Sequence, residues 1–84
     1  MCTYRTERIE VEGSGKGAGG WIRLRSASVY FDHPVHASAD HTVNVDFLDQ
    51  GAGPAARVAV ELSRESAAGL AHAILRTLEA TPGA

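Results

Sequence analysis

The chain has 84 residues, eight basic and ten acidic side chains, a formal net charge of -2 and one cysteine. That length predicts one domain, residues 1–84, with a thin core. The charge balance argues against nucleic-acid binding, and the single cysteine excludes an internal disulfide and a cysteine-cluster metal site. No apolar run is long enough to cross a bilayer, so no membrane partner is predicted. The start lacks a basic segment followed by an apolar one, so no signal peptide is expected and the predicted location is cytoplasmic.

Met1-Cys2-Thr3-Tyr4 opens the chain. Removal of Met1 would leave an amine and a thiol side by side at Cys2, a pair able to hold a metal or to react. Packing of Cys2 as a small apolar side chain is the plainer expectation. Residues 4–12 alternate and predict a strand, with Ile9 and Val11 on one side and Arg8, Glu10 and Glu12 on the other. Gly13 to Gly20 reads as a flexible hairpin loop. It does not fit a phosphate-binding loop, because the spacing puts Glu10 where the first glycine belongs and Gly17 follows Lys16.

Trp21 to Phe31 predicts the longest strand-like region. Ile22 and Leu24 share one parity, Val29 and Phe31 the other, so a register change or bulge is expected near Ser26-Ala27-Ser28. Trp21 is expected to anchor the core, or otherwise to line a pocket. Thr42 to Phe47 is the clearest strand, with Val43, Val45 and Phe47 inward and Thr42, Asn44 and Asp46 outward. A turn from Asp49 to Pro54 leads to a strand over 57–62, where Arg57 suits a cross-strand pair with Asp46. Ser63 is a good helix N-cap, with Glu65 in the first turn. The helix should reach Ala80, with Ala67, Leu70, Ala71, Ile74, Leu75 and Leu78 on one stripe and His72 on the wet side. The fold class is therefore α+β: a four-stranded antiparallel sheet packed on one face by a C-terminal helix. The face carrying Asn44, Asp46, Arg57, Ala59 and Glu61 stays open to water, to a binding partner or to a second chain. So small a core makes a homodimer the expected state.

Between the two central strands lies the densest chemistry. Asp32, His33, His36, Asp40 and His41 bring three of the four histidines and two aspartates within ten residues. Three imidazoles, His33, His36 and His41, with Cys2 or Asp32 as a fourth donor, would suit a divalent transition metal: zinc, nickel, copper or iron. Three further readings stand beside this one. His33, held extended before Pro34, and the other two can be structural or surface groups. The histidines can serve metal-free acid–base chemistry, with Cys2 as nucleophile or Tyr4 and Tyr30 as donors. The chain can equally be an accessory module binding a protein or a small metabolite on its open sheet face.

Taken together, Met1-Cys2-Thr3-Tyr4, Val29-Tyr30-Phe31-Asp32-His33-Pro34-Val35-His36, His41-Thr42 with Asn44, Asp46 and Phe47, and Gly53-Pro54 followed by 56–62 resemble a family of small uncharacterised actinobacterial proteins. The resemblance implies a compact cytoplasmic domain, in some cases encoded near metabolic enzymes. It implies no activity, ligand or catalytic residue.

Overall fold

The computed structural model describes residues 5–32, 41–49, 51, 53 and 56–83. Four strands form one antiparallel sheet in the order β1-β2-β3-β4: β1 Thr6–Gly17, β2 Gly20–Asp32, β3 Thr42–Leu48 and β4 Arg57–Leu62. The helix α1, Arg64–Ala80, follows β4. Its cap is the expected one, with the Ser63 hydroxyl accepting from the Ser66 N–H at 3.1 Å.

The ladders sort the side chains into cross-strand rows. One face carries the rows Ile9–Ala27–Phe47–Val58 and Glu7–Val29–Val45–Val60, then Phe31–Val43–Leu62. The opposite face carries Arg8–Ser28–Asp46–Ala59 and Thr6–Tyr30–Asn44–Glu61, then Asp32–Thr42. Sequence alternation in β3 and β4 thus gives the correct faces.

Three expectations are corrected. Residues 13–17 are not loop: β1 continues through them, and Ala18 and Gly19 alone turn the chain. The positive φ of Gly20, +115°, starts β2 in a conformation that side-chain-bearing residues avoid. The register change lies on β1 between Glu10 and Gly13, and β2 runs through Ser26-Ala27-Ser28 as one strand. A bulge there bends the hairpin's far half. This arm reaches back to β4: a Cβ added at Gly15 would lie 3.3 Å from Val58 Cγ2, and one at Gly17 would lie 3.4 Å from the Arg57 carbonyl oxygen.

Burial supplies the third correction. Thr42 and Asn44, expected to face water, are 1% and 5% exposed, while Ala27 and Ala56 are the buried apolar side chains among the described residues. Trp21 does not anchor a core. It is 71% exposed and lines an open cleft with residues 10–14 and 22–25, the alternative placement for it. The helix meets the sheet near its first turn, where the Arg64 guanidinium sits 5.0 Å over the Phe31 ring. Beyond that turn its apolar stripe stays outside: Leu70, Ile74, Leu75 and Leu78 are 51–63% exposed.

Candidate functional site

Two places gather functional side chains. The first is the end of the sheet where β2 stops and β3 begins. Asp32 and Thr42 form the last ladder pair of β2 and β3. His41 stacks on Phe31, with ring centroids 5.4 Å apart and planes 14° from parallel. Arg64 lies over the same Phe31 ring, so one aromatic side chain orders a cation from the helix and an imidazole from the strand entrance.

Of the proposed metal ligands, Asp32 and His41 are therefore at this end. Cys2, His33 and His36 lie outside the described residues, as do Tyr4 and Asp40. Among the described residues, no three His, Cys, Asp or Glu side chains converge. His72 lies exposed on α1, the expected wet-side position.

The second place is the middle of the polar face. Asp46 receives two partners from neighbouring strands. The Tyr30 hydroxyl donates to Asp46 Oδ2 at 3.1 Å, and Arg57 Nη2 donates to the same oxygen at 3.2 Å. Both reach it diagonally, since Tyr30 pairs with Asn44 and Arg57 with Leu48. The Asp46–Arg57 pair was legible from strand spacing. Tyr30 was not, because its approach depends on the β2–β3 register. Below this group, Thr42 Oγ1 donates to Asn44 Oδ1 at 2.6 Å. Asp49 anchors the neighbouring turn, accepting the Gly51 N–H at 3.3 Å and lying 3.6 Å from Arg25 Nε.

Tyr30 titrates above the ordinary phenol value. Burial is the main cause, and Asp46 adds to it through its charge and as the acceptor of the phenol proton; Arg57 opposes them. The interaction favours the neutral phenol. Its contribution to stability is thus complete below a pH of about 10 and lost as pH rises through the higher folded value. In a Tyr4→Phe background, absorbance at 295 nm should show Tyr30 ionising later than a free tyrosine. Asp46→Asn should bring the midpoint down part of the way, because the burial remains. A midpoint at or below the free value, or one that Asp46→Asn leaves unmoved, would contradict this account.

All 84 residues, 1–84, match the model of a family of unknown function, DUF6295. The chain belongs to that family. No curated protein and no solved structure matches it. The DUF6295 match covers both places just described, the strand ends around Asp32 and His41 and the Tyr30–Asp46–Arg57 group. Among the described residues of this DUF6295 chain, no helix is long and apolar enough to cross a membrane.

Proposed function

We propose that the domain is an interaction module that offers the polar face of its sheet to a carboxylate-bearing partner. The observation that carries this reading is Arg57. Asp46 fixes one end of its guanidinium at 3.2 Å, and the side chain is still 48% exposed. A guanidinium has five N–H donors in a planar fork, so one held in this way retains donors for a second carboxylate. Tyr30 occupies one further lone pair of Asp46 and keeps that carboxylate aimed. Of the residues on this face, Ser28, Thr42 and Asn44 are too buried to touch a partner; Arg57 and Ala59, with Thr6 and Arg8 on β1, are exposed, and Glu61 is half-buried.

A short glutamate-rich peptide, titrated into isotopically labelled protein, tests this. Amide shifts should cluster at Asp46 and residues 57–61. Arg57→Ala should weaken binding about three- to tenfold, the range for a charged hydrogen bond discounted for its exposure. Arg76→Ala, on the exposed side of the helix, should leave binding unchanged. Shifts elsewhere, or equal losses from both substitutions, would count against the surface.

A second reading keeps the divalent-metal site. It is supported by Asp32 and His41, two ligand-type residues carried to the ends of neighbouring strands by the Asp32–Thr42 pairing. His33 and His36 belong to the segment between them, and Cys2 is the remaining candidate donor. Zinc, nickel, copper and iron all suit such a donor set. Protein purified without a histidine tag should then retain close to one metal per chain, and a His33→Ala/His36→Ala/His41→Ala variant should lose it. A trace content that the triple variant does not change would dispose of the site.

A further inference from the structure

We propose that the helix α1 is a dimerisation element, and that its uncovered stripe packs against the same stripe of a second copy of this chain. The inference is independent of the sheet-face reading. It starts from area. The chain exposes 6335 Å², where a compact monomer of its mass exposes about 4,800 Å². Its radius of gyration, 13.9 Å, exceeds the roughly 12 Å of a compact chain of this length. The surplus of about 1,500 Å² is more than the roughly 800 Å² that each partner contributes to a standard interface. Among the described residues, the large apolar side chains left exposed are Leu70, Ile74, Leu75 and Leu78 on α1, with Ile9, Trp21 and Val60 on the sheet, so α1 carries the densest group of them.

The stripe is also complementary to itself. In a two-fold antiparallel pair, residues whose numbers have a constant sum face each other across the axis. With the axis between His72 and Ala73, Ala67 meets Leu78 of the second copy, Ala71 meets Ile74 and Leu70 meets Leu75. Two of the three pairings, Ala67–Leu78 and Ala71–Ile74, set a small residue against a large one, which lets the two helices approach closely, and Leu70–Leu75 adds a large apolar contact beside them. The 4-3-4 spacing of Ala67, Ala71, Ile74 and Leu78 is that of a helix–helix seam.

Charge rules against other occupants. The helix surface outside the stripe carries Arg64 and Arg76 against Glu65 and Glu79. A helix lying on a membrane is rich in Lys and Arg on its polar face. A strongly charged partner would find no net charge here to match.

Sedimentation of the full chain at micromolar concentration should give twice the chain mass, and its melting temperature should rise with protein concentration. Ile74→Glu should weaken the dimer about thirtyfold or more, the effect expected for losing a central contact. Arg76→Glu, on the opposite side of the helix, and Arg57→Ala, on the sheet, should both remain dimeric. Should Ile74→Glu fail to fold, the concentration dependence of wild-type melting still decides the matter. The register has its own check in a Cys2→Ser background: mixed Leu70→Cys and Leu75→Cys chains should cross-link more readily than either alone. The proposal is overturned by a wild-type monomer with concentration-independent melting, including one that binds anionic vesicles. A dimer indifferent to Ile74→Glu, or cross-links within each single variant, would overturn it equally.

Discussion

Replacing Thr42 with Val should cost about 1–3 kcal/mol, a large share of the stability of so small a domain. Valine has nearly the shape of threonine, so the substitution removes a hydroxyl and little else. That hydroxyl is buried and donates to Asn44 Oδ1 at 2.6 Å. Without it the amide oxygen stays in a site that water does not reach, and it retains the full cost of leaving water. Asn44→Leu alone should cost a similar amount by stranding the hydroxyl instead. The double variant Thr42→Val/Asn44→Leu strands neither group, so its loss should fall well short of the sum of the two. Urea unfolding at one fixed protein concentration gives the coupling energy directly. Additive losses, or a Thr42→Val variant as stable as the parent, would mean that the two groups are not energetically coupled. Asn44 pairs across the ladders with Tyr30 and Glu61, so this pair also supports the face on which Arg57 is displayed.

The same pair shows why part of the structure was legible in the chain and part was not. Residues 42–47 and 57–62 alternate without interruption, and both strands form where that alternation places them. Ser63 and the 3.6-residue period after it specify the helix equally locally. Alternation, however, says which residues share a face and not which face is covered. Thr42 and Asn44 look like a wet face and are buried; Leu70 and Ile74 look like a core stripe and are half exposed. Burial of this kind is set by how far separate elements fold over one another. The glycine run misled for a related reason. Five glycines between Gly13 and Gly20 signal flexibility in isolation, yet Gly15 and Gly17 lie in a strand that passes close to β4. There the missing side chain leaves room for a neighbouring strand.

The candidate site divides along the same line. Asp46 and Arg57 belong to consecutive strands, and spacing was enough to pair them. Tyr30 joins them only through the β2–β3 register, and Arg64 and His41 meet only through Phe31. The density of histidines in 33–41 was visible at once, but density along a chain fixes no distance between imidazoles. That question reduces to the metal content of the untagged protein.

Gly15→Val should destabilise the domain by about 1–3 kcal/mol and release the hairpin arm from β4. A Cβ at this position would stand 3.1 and 3.3 Å from the two terminal methyls of Leu24 and 3.3 Å from Val58 Cγ2. Each distance is shorter than ordinary carbon–carbon contact, and the contacts come from both the arm and β4, so no single rotation relieves them all. Alanine needs only small shifts of these methyl groups, and it restricts the unfolded chain more than glycine does, by about 0.4–1 kcal/mol. Gly15→Ala should therefore be close to neutral. Valine adds two more methyl groups, which exceed the space that Leu24 can yield. The arm then lifts, and the cleft between residues 10–14 and 21–25 changes shape with it. Hydrogen exchange separates this from general loosening: amides of residues 13–17 and 20–24 should exchange faster in Gly15→Val, while those of β3 keep their protection relative to the new global stability. Uniform acceleration would mean that the arm and the rest of the sheet open together. Unchanged exchange in the arm would mean that the contact with Val58 is not what holds it.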